Sequence, residues 1–96
     1  MNSILLTEEA AQWIDGLDDR VAKARVLTRI EQAKAGNFGD CEPVGEGVSE
    51  MRIHHGPGYR IYFTRVGNIV YVVLCGGTKG SQKADIKRAK KVAKEL

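Results

Sequence analysis

The sequence predicts an α+β fold, a mostly antiparallel sheet packed against a helical hairpin in the order β-α-α-β-β-β-α. Three observations lead there. Apolar residues recur at helical spacing near both ends of the chain. Between those stretches the pattern changes to strand-like runs bounded by Gly, Pro and Asn. With 96 residues there is room for one domain, 1–96, whose helices and strands are grouped rather than alternating.

Taken in order, Asn2–Leu6 reads as a short edge strand. Thr7 is a good N-cap, and Glu8 and Glu9 in the next turn favour the helix dipole. Ala10, Trp13, Ile14 and Leu17 then form one face, and Gly16 and Asp18 end the helix. Asp18 or Asp19 caps a second helix running to about Ala35, with Val21, Ala24, Leu27, Ile30 and Ala33 as its apolar stripe and Gly36 as its stop. Residues 37–47, rich in turn formers, read as a loop. Val48–His54 and Tyr59–Arg65 read as strands joined by the turn His55-Gly-Pro-Gly58. After Val66-Gly-Asn68, Ile69–Cys75 reads as a nearly continuous apolar strand in the middle of the sheet. Gly76–Gly80 leaves the sheet and Ser81 caps a last helix, whose apolar face is Ile86, Ala89, Val92, Ala93 and Leu96.

Composition removes several functions. No apolar run approaches the ~20 residues of a membrane span, and the N-terminus lacks the basic start of a secretory signal. Two cysteines, Cys41 and Cys75, are too few for a disulfide framework, and both read as structural thiols in a reducing cytoplasm. No Cys-x-x-Cys or His-x-x-x-His spacing supports a metal, and no phosphate loop, dinucleotide fingerprint or nucleophile elbow supports a cofactor. The net charge of +3 conceals a strong asymmetry. Residues 1–19 carry five acids and no base, whereas from Arg52 onward there are ten bases and two acids. A basic half of this kind points to a polyanion partner.

The hairpin between the second and third predicted strands carries the chemistry. Alternation puts Glu50, Arg52 and His54 on one face. Pairing His54 with Arg60 sets Arg52 opposite Tyr62 and Glu50 opposite Thr64, and leaves Met51, Ile53, Ile61 and Phe63 for the core. A slip of one residue would bury two arginines. Neighbouring guanidinium groups repel unless an anion lies between them, and they bind phosphate oxygens in bidentate fashion. Histidine is the side-chain type that changes charge near neutral pH, so His54 suits general acid or base work on a ribose hydroxyl. On its own it would be an ordinary solvent-facing histidine. Tyr62 is either a stacking platform for a base or a cross-strand aromatic. Lys79, in the Gly-rich loop, approaches the same face. Lys83, Lys87, Lys90 and Lys94 form a stripe on the last helix, suited to phosphates without sequence readout or simply to solubility.

The segments Gly36-Asn-Phe-Gly-Asp40, Gly47-Val-Ser-Glu-Met-Arg-Ile53, Gly56-Pro-Gly-Tyr-Arg-Ile-Tyr-Phe63 and Leu74-Cys-Gly-Gly-Thr-Lys-Gly-Ser-Gln-Lys-Ala-Asp-Ile86 together resemble the addiction-module killer proteins, HigB-like toxins of the RelE/ParE superfamily. The resemblance implies a RelE/ParE-like fold and a bacterial, cytoplasmic type II toxin. Its partners would be a cognate antitoxin of the helix-turn-helix DNA-binding type, the ribosome and mRNA, with DNA reached only through the antitoxin and no membrane. It implies metal-independent cleavage of mRNA on the ribosome by attack of the 2′-hydroxyl. By the same resemblance Arg60 matches the superfamily's strand arginine, and Arg52 and Lys79 stand near positions where RelE-type enzymes keep basic groups. Several of those nucleases carry a tyrosine or histidine after the last strand. Lys79-Gly-Ser-Gln-Lys83 has neither, which leaves His54 as a substitute. A ParE-like gyrase inhibitor and a non-catalytic RNA-binding module stay open as alternatives.

Overall fold

The computed structural model describes all residues, Met1–Leu96. It is α+β, with three α-helices and a five-stranded, mostly antiparallel sheet, as the sequence predicts. The elements are β1 (Ser3–Leu6), α1 (Glu8–Asp15), α2 (Arg20–Lys34), β2 (Cys41–Gly45), β3 (Val48–Ile53), β4 (Tyr59–Arg65), β5 (Val70–Thr78) and, after a short 3₁₀ turn at Lys79–Ser81, α3 (Gln82–Lys94). The strand order is β1-β5-β4-β3-β2, with β1 parallel to β5 and every other pair antiparallel.

Two of the three predicted caps form. Thr7 Oγ1 accepts from the Ala10 N–H and also donates to the Leu74 carbonyl at 2.7 Å, so one hydroxyl starts α1 and ties it to β5. Asp19 accepts from the Val21 and Ala22 N–H groups and starts α2. The buried face of α2 is Ala22, Val26, Ile30 and Ala33, rotated from the expected stripe, and Val21 and Leu27 are exposed. These residues join Ala10, Ile14, Met51, Ile53, Ile61, Phe63 and Val73 in one core between α1, α2 and the sheet.

A smaller core lies on the opposite face, where Val48, Tyr62, Val72, Leu74 and Cys75 pack under Ala89 of α3. β5 supplies both faces by alternation, and a bulge puts two successive residues on the α3 side. Tyr62 pairs with Cys75 while Phe63 pairs with Val73, so Leu74 is the extra residue and Cys75 is turned to the α3 side. The bulge also sets the two glycines that follow. They continue β5 rather than leaving the sheet, and each admits a helix to the bare backbone. A Cβ on Gly76 would sit 2.3 Å from the Trp13 ring of α1, and one on Gly77 would collide with the Asp85 carboxylate of α3.

The segment read as a loop contains β2, an edge strand paired with β3. Pro43 is tolerated there because an edge strand need not donate on its outer side. The β2–β3 turn is tight, with positive φ at Gly45, Glu46 and Gly47. α3 ends before Leu96, which is exposed. Ser81 precedes α3, but its hydroxyl bonds to Asp85 rather than capping the helix. No helix is long and apolar enough to cross a membrane.

Candidate functional site

The sheet end formed by the C-termini of β3 and β5 and the N-terminus of β4 gathers most of the predicted site residues. Arg52 pairs directly with Arg60, Glu50 with Tyr62 and Ile53 with Tyr59. The expected register is therefore displaced by two residues, because the β3–β4 loop spans residues 54–58. A shift of two preserves the faces. Met51, Ile53, Ile61 and Phe63 are buried toward α1 and α2, and Glu50, Arg52, Arg60 and Tyr62 share the α3 side.

The two arginines are not left facing each other without anions. Arg52 Nη2 lies 2.9 Å from Glu42 Oε1, and its Nε is 3.6 Å from Asp40 Oδ1. The bond to Glu42 raises the Arg52 pKa further above its ordinary value. Arg60 has a side chain only 9% exposed, with Nε 3.6 Å from the buried Glu50. Glu50 also accepts from Gln82 Nε2 at 2.7 Å and from the Tyr62 hydroxyl at 3.3 Å. The carboxylates that were expected to be an external anion belong to the chain itself.

This network changes two of the expected roles. Tyr62 is fully buried, and burial, reinforced by the nearby Glu50, holds its phenol well above the usual range. Its ring has no exposed face on which a base could stack. Arg60 is buried against Glu50, the carboxylate that Gln82 of α3 also reaches.

His54 lies just beyond β3, off the ladder. Its Nε2 is 2.6 Å from Asp40 Oδ2, and the side chain is 74% exposed. A carboxylate only accepts, so Nε2 carries a proton, and when the ring is neutral Nδ1 is its accepting nitrogen. The His54 bond, with help from Arg52 and Arg29, holds the Asp40 carboxyl below its ordinary value of 3.8. Asp40 thus touches both His54 and Arg52. His55 turns the other way, bonds to Asp19 Oδ2 at 3.0 Å and stacks on Tyr59, which ties the β3–β4 loop to the start of α2.

Lys79 is exposed on the other flank of the same loop, where its N–H donates to the Gly58 carbonyl at 2.8 Å. Gly58, at φ +80°, lies between Lys79 and the Arg60 guanidinium. The α3 stripe is divided. Lys83 and Lys87 are exposed, whereas Lys90 and Lys94 reach Glu46 of the β2–β3 turn at 3.6 and 3.1 Å. Cys75 is buried, which pushes its thiol up to about 12 and makes it inert.

Sequence reasoning missed Asp40, Arg29 and a groove beside α2. Arg29 donates to the carbonyls of Arg52, Phe38 and Asp40, pinning α2 to the segment that enters β2. The groove, about 590 Å³, is lined by Arg20, Val21, Ala24, Arg25, Thr28, Arg29, Gln32, Ile53 and His54. The i, i+4 spacing of Arg25 and Arg29, with Thr28 and Gln32 beside them, was the signal for a polar second face on this helix.

Comparison with known proteins corrects the resemblance drawn from the motifs. Residues 12–96 match the family described as Phage derived protein Gp49-like (DUF891), so the assignment to the HigB-like killer proteins of the RelE/ParE superfamily gives way to this distinct family. An uncharacterized protein of Haemophilus influenzae is 43% identical over 84 residues, covering 88% of this chain and 85% of that protein. No solved structure matches. The matched family is toxin-like in character, and the expected toxin class is retained at that level. From the second turn of α1 to its last residue, the chain belongs to the Gp49-like family of phage-derived proteins.

Proposed function

We propose that the protein is the toxin of a type II toxin–antitoxin system and a ribosome-dependent mRNA endoribonuclease that inhibits translation. The observation that supports this most is the His54–Asp40 pair, exposed at the sheet end, with Arg52 on the same carboxylate. Asp40 fixes the imidazole tautomer, and Nδ1 accepts the proton of a ribose 2′-hydroxyl. The freed oxygen attacks the adjacent phosphorus, and the bond to the 5′-oxygen breaks. A cyclic phosphate remains on one fragment, and the other leaves with a 5′-hydroxyl protonated from water. Arg52 and Lys79 stabilise the extra negative charge of the pentacovalent phosphate, while Arg60 positions the sheet through Glu50. Lys83 and Lys87 contact ribosomal RNA phosphates. In this reading the protein works in the bacterial cytoplasm, and a cognate antitoxin of the helix-turn-helix DNA-binding type covers the basic end of the sheet.

The test is to map transcript ends on ribosomes after brief expression. Wild-type protein should produce new ends with 5′-hydroxyls within translated frames. His54→Ala and Arg52→Ala should each reduce cutting ~100–1000-fold with an unchanged circular dichroism spectrum. Intact transcripts under the wild-type protein would overturn the reading.

A further inference from the structure

The groove beside α2 lies outside the arginine pair at the sheet end, and of its three arginines only Arg29 is engaged within the molecule. Arg20 and Arg25 are exposed and form no ion pair or side-chain hydrogen bond, although most arginines and several lysines of the chain do. No acidic residue lines the groove, and only Val21, Ala24 and Ile53 of its nine lining residues are apolar. His54 is one of the residues that line it. Along a helix rising 1.5 Å per residue, Arg20, Arg25 and Arg29 are stepped by about 7.5 and about 6 Å, close to the spacing of successive phosphates on a stretched single strand. An acidic partner helix would need a broad apolar strip to bury, and three scattered apolar residues do not provide one.

We propose that this groove is the track for the phosphodiester backbone of single-stranded RNA leading to His54, with Arg20 and Arg25 as its phosphate-binding residues. Val21 and Ala24 give the sugar edges an apolar floor, and Thr28 and Gln32 add neutral donors along the same side of the helix. The inference rests on the endoribonuclease reading, since it names where that enzyme's substrate lies. It is nevertheless testable without any cleavage, because binding and cutting use different groups.

The experiment is fluorescence anisotropy with the full chain and a labelled, fully 2′-O-methylated oligoribonucleotide, which cannot be cut. The variants are Arg20→Ala/Arg25→Ala and a charge-matched control, Lys23→Ala/Lys91→Ala. The arginine double variant should lose at least about tenfold in affinity. The slope of log K against log salt should shrink by about 1.4, or about 0.7 for each phosphate contact on a single strand. The control should stay within about threefold of wild type. Equal loss in both variants, or none in the arginine variant, would overturn the groove as a track. So would a glutamate-rich helical peptide whose binding depends on Arg20 and Arg25 when that of the RNA does not. Arginine-dependent RNA binding combined with uncut transcripts in cells would retain the groove and reject the nuclease. Cut transcripts with arginine-independent binding would do the reverse.

Discussion

At the scale of single residues, buried charge decides what each arginine can do. Arg60 and Glu50 are both almost fully enclosed, and Glu50 is further held by Gln82 and Tyr62. Removing one member of such a pair leaves a charge without a partner in a low-dielectric interior, a loss of about 3–5 kcal/mol. Arg60→Ala should therefore lower the urea midpoint sharply. Arg60→Met combined with Glu50→Gln should recover much of the loss, since both charges are then gone. Arg52 is half-buried and bonded to exposed carboxylates, so Arg52→Ala should leave the midpoint nearly unchanged. A large midpoint loss in Arg52→Ala and none in Arg60→Ala would contradict this division. Residues also explain why the motifs pointed to a neighbouring family. Gly58 holds a positive φ, Gly76 receives Trp13 and Gly77 receives Asp85. The matching segments mark turns and close approaches that a sheet of this shape requires, and such marks do not distinguish one toxin-like family from another.

At the scale of elements, local signals were readable and long-range ones were not. Caps, strands β3 and β4 and the core side of their hairpin follow from neighbouring residues. β2 was hidden because Pro43, Gly45 and Gly47 are turn formers that an edge strand next to a tight turn can accept. The rotation of α2 was hidden for a different reason. Its apolar residues allow two faces, and the choice is made by Asp19 bonding to His55 and by Arg29 bonding to three carbonyls, contacts that lie 9 to 36 positions away in sequence. In the same way Arg52 and Arg60 were visible as neighbours on one face, but Asp40 and Glu42 lay in a segment read as loop, so their pairing with Arg52 was not. The dual role of Thr7 gives a test at this scale. Thr7→Ala loses the α1 cap and the bond to the Leu74 carbonyl, and should cost about 1–2 kcal/mol by thermal unfolding. Thr7→Ser should recover most of it. An alanine variant as stable as wild type would show that α1 is held by its apolar face alone.

At the scale of the whole molecule, the charge asymmetry of the sequence is largely resolved by folding. Acids that precede Arg52 meet bases from Arg52 onward: Glu9 with Arg88, Asp40 and Glu42 with Arg52, Glu46 with Lys90 and Lys94, and Glu50 with Arg60. What remains open is a shorter set, Arg20, Lys23 and Arg25 on α2, Lys79 in the loop after β5, and Lys83, Lys87 and Lys91 on α3. The same pairings set the response to acid. Asp19 is held below its ordinary value of 3.8 by the Ala22 N–H and by His55, Asp40 by His54, and Glu46 below 4.5 chiefly by Lys94. A depressed carboxylate contributes stability above its unfolded value and loses it as the pH falls through its folded one. Stability should therefore hold from neutrality to about pH 5 and fall below about 4.5. The triple variant Asp19→Asn/Asp40→Asn/Glu46→Gln should have a shallower acid limb. An unchanged limb would place the acid sensitivity in other groups.

The contact between Gly76 and Trp13 has an optical consequence. The chain contains a single tryptophan, and its indole rests against β5 at Gly76, with the Tyr59 ring 6.4 Å away. Asp85 rests on the next glycine from the opposite side of the strand. Its emission therefore follows the seating of α1 on the sheet and is shielded by the strand from events at α3. The protein thus carries an intrinsic fluorophore that can separate loosening of the N-terminal helices from detachment of the C-terminal one, without any label being attached.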